Sequence, residues 1–274
     1  TGAALANGIV VTGATFDTVA GNPIVAVPGG TTTIGVSGDG VGTGGLLLTT
    51  VVGELAFTDL DIFNGAGTGL GVTSTGALNA AAGTGFRISV PAGVATVDTS
   101  TGPAVSLNNA TISLPLNFLR STNSTTNGVS LVNAFGALAG TALSASGGQI
   151  TDPGAASGTA VNISGGTGNI TLALPITNSS GRAVDVNTRA SDTVLFSGAV
   201  AETGTGISLT NNGGATINFT GGLTASTGTN AAFAATGGGT VSVTGATNTL
   251  ATTTATALNV ANTTIGAGGL TFRS

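Results

Sequence analysis

The chain of 274 residues contains no Cys, His, Met, Trp, Tyr or Lys; its five basic residues are Arg87, Arg120, Arg182, Arg189 and Arg273. Each absence removes a class of chemistry. Without cysteine there is no disulfide framework and no thiolate metal site. Without His and Cys, Ser-His-Asp and Cys-His catalysis are excluded. Without Lys, so are Ser-Lys nucleophiles and the P-loop lysine. Charge is scarce as well, at 5% of residues, against about a quarter in an ordinary globular domain. A net charge of −5 opposes nucleic-acid binding, which needs clustered Lys and Arg to neutralise phosphates. Long apolar runs are missing too. The most apolar stretch, LLLTTVV at Leu46–Val52, is interrupted by two threonines and followed by Gly53 and Glu54. A spanning helix needs roughly 18 to 20 apolar residues, so no membrane span is expected.

What is present is glycine, 48 residues of it, and 41% hydrophobic residues rich in β-branched Val and Ile, with many Thr. Such a chain can bury apolar area that disordered chains lack, and it resists helix: glycine and β-branched residues lower helix stability, and apolar residues rarely recur at helical spacing. They recur instead over a longer and nearly constant period. NITLALPIT starts at Asn169, TVLFSGAVA at Thr193, TINFTGGLT at Thr216 and TVSVTGATN at Thr240. A period of this size marks a repeat architecture. Each unit holds three short alternating runs: Val184 and Val186, then Val194 and Phe196, then Val200, with Asp185 and Leu195 on the opposite face. No unit can bury its apolar face alone, so units must stack, with like residues in columns. Ile170, Val194, Ile217 and Val241 are expected to form one column, and Leu172, Phe196, Phe219 and Val243 its neighbour. Glycines between the runs supply the turns.

The expected fold is therefore all-β, a single parallel β-helix over residues 1–274 with three short strands per coil of about 23–24 residues. Regular coils run from about 158 to 274. Looser coils occupy 1–157, with the polar segment NFLRSTNSTTN (Asn117–Asn127) expected as a loop insertion. If TGAALANGIVV is set after Ser274, the step from Leu270 to Ile9 equals the step from Val194 to Ile207. The expectation is that copies of the chain meet head to tail, or that it belongs to a longer array. The opening TGAALANG lacks Met and a basic segment, so a signal peptide, if used, is expected to have been removed or to lie outside this sequence.

Few residues remain for chemistry. Asp59 and Asp61 in TDLDIF share a strand face about 7 Å apart, near the separation used by inverting glycosidases. The plainer reading is a solvated outer face with Leu60 and Ile62 pointing in. Arg182, Asp185, Arg189, Asp192 and Glu202 make the densest charge group and read as a weak surface network. Gly40, Gly42 and Gly45 match G-x-G-x-x-G, but LLLTTVV is a poor helix to follow it, so they read as a turn. Only GDG at Gly38–Gly40 is reminiscent of a calcium repeat. TTT at Thr31 and at Thr252 and TSTG at Thr73 keep no period, so the flat Thr-x-Thr array of an ice-binding face is not expected. Asn-x-Ser/Thr triplets at Asn109, Asn123, Asn162, Asn169, Asn178, Asn218 and Asn262 follow from composition. No catalytic, cofactor-binding or metal-binding residue is assigned, and no cofactor is expected.

The segments GTAVNISGGTGNITLALPI, GRAVDVNTRASDTVLFSGAV and GISLTNNGGATINFTGGL resemble the β-strand repeats of bacterial surface proteins, especially autotransporter passengers and haemagglutinin-like adhesins. The resemblance covers roughly the last three fifths of the chain. It implies secretion to the bacterial cell surface or beyond, a right-handed parallel β-helix, and a role as stalk, adhesin or matrix component. The expected function is a non-enzymatic extracellular structural solenoid, either stacking end to end or carrying a cell-surface or polysaccharide ligand on its side. The alternative is a β-helix polysaccharide lyase or hydrolase using Asp59 and Asp61; the absence of Trp and Tyr platforms and the scarcity of basic residues weigh against it.

Overall fold

The computed structural model describes residues 6–17, 24–136, 140–151 and 158–273. Within them the chain is a parallel β-solenoid of about nine turns, with no α-helix. Strands pair in parallel with their counterparts one turn away, forming three ladders along one axis. In the regular part each turn contributes one strand to each ladder: Arg182–Asn187, Thr193–Phe196 and Val200–Glu202 in one turn, Gly206–Thr210, Thr216–Phe219 and Leu223–Ser226 in the next.

The expected columns are those observed. Ile170, Val194, Ile217 and Val241 pair in sequence, as do Leu172, Phe196, Phe219 and Val243. All eight are buried, while Asp185, Leu195, Ser208 and Asn218 are partly exposed on the outer faces. Neighbouring turns stack about 4.8 Å apart, and aromatic rings fill the core at the C-terminal end. Phe196 and Phe219 stack with centroids 4.8 Å apart, Phe233 meets Phe219 edge-on at 5.9 Å, and Phe272 meets Phe233 at 5.8 Å.

The first half obeys the same rule with unequal turns. The first ladder is traced by Ile9, Leu46, Leu70, Val105, Val129 and Val161. The turns from Leu46 to Leu70 and from Val105 to Val129 match the regular period. Those from Ile9 to Leu46, Leu70 to Val105 and Val129 to Val161 are longer by a third to a half. The extra length lies between the paired first-ladder strands, so the columns survive while the sequence period does not. Strands here also run around corners: Ile24–Ile34 and Gly53–Ala66 each contribute to two ladders, and the register between them shifts between Ala26 and Thr31.

Two expectations need correction. Asn117–Asn127 is not wholly a loop: Phe118–Thr122 is a strand of the third ladder, paired with Thr96–Thr101 and Gly148–Thr151. Leu119 and Ser121 are buried within it. Alternation was present there, but the inward place usually held by an apolar residue is taken by Ser121, whose hydroxyl donates to the Gly102 carbonyl at 2.8 Å. Leu270, in turn, pairs with Val243 and so shares the column of Phe196, not Val194. The equivalent step in the rod runs from Phe196 to Ile207 and is shorter than the step from Val194. Residues 1–5 of the joined segment lie outside the described residues.

One corner of the rod has a conformational signature. The residue directly after each first-ladder paired segment adopts positive φ in nearly every turn: Gly13, Gly165, Thr188, Asn211, Gly237 and Asn262 just past the strand, and Thr50, Asn109 and Asn133 inside strands that continue round the corner, with φ between 47° and 78°. Left-handed backbone is unfavourable for most L-residues and tolerated by Gly and Asn, which is why those two types dominate the column. The bend also aligns hydrogen bonds along the axis, as in Gly165 N–H to Asn187 O at 2.9 Å and Asn211 N–H to Thr236 O at 2.8 Å.

Candidate functional site

Asp59 and Asp61 lie on the outer face of Gly53–Ala66, with Leu60 and Ile62 fully buried between and after them. Asp59 stands beside Thr31, whose hydroxyl donates to Asp59 Oδ2 at 2.7 Å, and Asp61 stands between Thr33 and Thr96 on the adjacent turns. The other Asp59 oxygen, Oδ1, is buried without a hydrogen-bond partner. A catalytic pair would need two carboxylates facing a common cleft, whereas the cross-strand neighbours of this pair are threonines at the same outer positions. Among the described residues, no group of three or more acidic side chains is placed to hold a metal ion.

The glycine-rich segment beside it is a turn. Val36 and Asp39 bridge in antiparallel fashion, with backbone bonds of 3.2 and 3.0 Å, so the chain reverses tightly through Ser37 and Gly38. Gly44 and Gly45 then open a strand, not a helix, and the G-x-G-x-x-G spacing has no dinucleotide context. The reversal walls a pocket of about 130 Å³ lined also by Phe63, Asn64, Asp98, Ser100 and Arg120. Its charges neutralise each other, since Arg120 Nε donates to Asp98 Oδ1 at 2.6 Å across adjacent turns. Asn64 donates to the carbonyls of Ala66 and Gly67, which holds the next corner.

The charge group around Arg182 is only in part a surface network. Arg182 and Asp185 approach to 3.7 Å and are partly exposed. Arg189 and Glu202 are buried, each 1% exposed, in two different corners. Arg189 donates to the carbonyls of Gly165, at 3.0 Å, and Gly168 in the turn below, and burial lowers its pKa although Asp192 opposes this. Asp192 accepts from the Ser191 hydroxyl and the Gly168 N–H, which with Arg189 hold its carboxyl below the ordinary value. Glu202 accepts from the N–H groups of Ala183 and Gly204, the latter at 2.5 Å. Burial nevertheless pushes its carboxyl up from 4.5 to about 7. One turn earlier the same column holds Asn178, whose Oδ1 accepts from Ser180 and Gly181 and whose Nδ2 donates to Gly158 and Arg182 carbonyls. These groups replace ladder hydrogen bonds where the backbone turns a corner. Nothing in the spacing of charges reveals this; the signal is that Asn178 and Glu202 end equivalent strands.

The outer faces carry columns of small polar side chains. Thr193, Thr216, Thr240 and Thr264 follow one another along the second ladder. On the first ladder Ser106, Ser130, Asn162, Asp185 and Ser208 do the same. Threonine thus repeats along the axis, while within a strand it is paired with Leu195, Asn218 or Ser242 instead of a second threonine.

The axial ends are the remaining surfaces of note. Asn7–Thr12 pairs only with Gly44–Val51, and Leu258–Ala261 only with Phe233–Thr236, among the described residues. Apolar residues there are exposed: Ile9 39%, Leu258 41% and, in the last second-ladder strand Thr264–Leu270, Ile265 53%, where Leu46 of the same column as Ile9 is at 1%. Comparisons with protein-family models, curated proteins and solved structures return no match to this chain.

Proposed function

We propose that this chain is a non-enzymatic structural β-solenoid, a rigid rod of the bacterial cell surface or extracellular space that lengthens by end-to-end stacking. The observation that carries the reading is the first-ladder column that runs without a break from Val11 to Val260, whose first and last described rungs are each paired on one side only. In such a rod every strand's backbone bonds run along the axis, which resists extension and proteolysis, while an open rung is a template for another. Scarce charge suits stacking, because like charges repeating about every 4.8 Å would repel. Three of the five arginines are ion-paired with carboxylates, as in Glu54 with Arg87 at 2.5 Å and Asp98 with Arg120. The extracellular and adhesive parts of the reading rest on the resemblance of the repeats to surface-protein strands. The polar columns on the sides offer hydroxyls and amides to a cell-surface or polysaccharide ligand.

Light scattering over a concentration series tests the assembly. Particle mass rising from 25.6 kDa with concentration supports it, and a constant single-chain mass contradicts it. Incubation with acidic polysaccharides is expected to leave viscosity unchanged and produce no unsaturated ends. Loss of viscosity that Asp59→Asn abolishes would replace this reading with an enzymatic one.

A further inference from the structure

We propose that the two axial ends are complementary faces for a second copy of this chain, in one defined register: Ile9, Val10 and Val11 of one copy pair in parallel with Leu258, Asn259 and Val260 of the next. The inference rests on the axial-assembly reading above and specifies its partner and geometry.

The register follows from the ladder itself. Successive pairings carry Val10 outward-facing through Leu47, Gly71, Ser106, Ser130, Asn162, Asp185, Ser208 and Ala234 to Asn259. Val11 reaches Val260 by the parallel inward route through Leu48, Val72, Leu107, Leu131, Ile163, Val186, Leu209 and Ala235. Ile9 and Leu258 precede these pairs on the same two strands. The first and last rungs therefore occupy equivalent positions, and each exposes in the Ile9 column the apolar side chain that an adjacent rung would cover. A one-residue slip would set the inward Ile9 and Val11 against outward positions of the next copy, so the column enforces the register. The edges of the two first-ladder rungs are also unguarded, whereas Ile24–Ile34 at the N-terminal end carries a proline and a register shift. Natural sheet edges are protected by Lys, Pro, inward charges or bulges, whereas NGIVVT and LNVA contain no charged residue and no proline. The second ladder ends the same way, with Ile265 exposed at the top of the Ile170–Val241 column.

The absence of native cysteine makes a direct test clean. Val10 and Asn259 are outward and exposed, so Val10→Cys and Asn259→Cys leave the core intact. In the proposed register their Cα atoms lie about 4.8 Å apart, inside the roughly 4.4–6.8 Å range of a disulfide. Mixed under oxidation or with a short bismaleimide, the two variants are expected to give a covalent heterodimer at least about tenfold faster than Val10→Cys mixed with Ser208→Cys, a mid-rod member of the same outward column. Homodimers of Val10→Cys or of Asn259→Cys in preference would show head-to-head contact and overturn the proposal. Filaments without the heterodimer would overturn the register while leaving axial assembly standing. No heterodimer together with a constant single-chain mass would overturn both.

Discussion

Glu202 shows how one side chain closes a corner and what that costs. Both carboxylate oxygens accept backbone N–H groups, which favour the charged form, yet burial dominates and raises the pKa to about 7. The folded chain therefore holds this proton more tightly than the unfolded chain does. The stability contributed is fully present below about pH 4.5 and is lost as pH rises through about 7. The unfolding free energy from thermal or denaturant melts should accordingly decrease from pH 5 to pH 8, by up to about 3 kcal/mol. Asp192, whose pKa is lowered, acts in the opposite sense and only in more acidic solution, so the two windows separate. Glu202→Gln should flatten the slope between pH 5 and 8 while lowering stability throughout, because the amide sets a donor against a backbone N–H; an unchanged slope would assign the effect elsewhere. In the core, Phe219→Ala removes a ring held between Phe196 and Phe233 and should cost about 3–5 kcal/mol in denaturant unfolding.

At the scale of the element, the recurrent left-handed corner accounts for much of the Asn and Gly usage. Thr50 and Thr188 occupy it with φ of 54° each, although a β-branched residue is strained there. Thr50→Asn should stabilise the rod by about 0.5–1 kcal/mol, and Asn211→Val should destabilise it by about 1–2 kcal/mol, read by chemical denaturation. The strands themselves were legible in the sequence wherever turn length was constant: Val194, Ile217 and Val241 could be put in one column because only short connections separate one turn from the next. Before Thr159 the same columns exist, but the long turns from Ile9 to Leu46 and from Leu70 to Val105 alternate with the short ones that follow them, and a fixed-period reading cannot follow them. Phe118–Thr122 was missed for a related reason, since a buried serine satisfied by a carbonyl looks polar in sequence. The corner roles of Arg189, Asn178 and Glu202 were not legible from the charges, because they depend on backbone groups of the neighbouring turn; the only hint is that Asn178 and Glu202 end equivalent strands.

At the scale of the whole molecule, the ten first-ladder strands among the described residues, at about 4.8 Å spacing, make a rod of about 45 Å, with polar columns along its flanks and apolar residues on its first and last described rungs. A stack of like turns can be extended by the same interactions that build it. The proposed function thus depends on whether the ends join. Negative-stain electron microscopy of the purified chain across a concentration series tests this most directly. Unbranched filaments of uniform width, lengthening as concentration rises, are the expected result. Particles no longer than one chain at every concentration would contradict axial assembly and leave the polar flanks as the surfaces through which the rod acts.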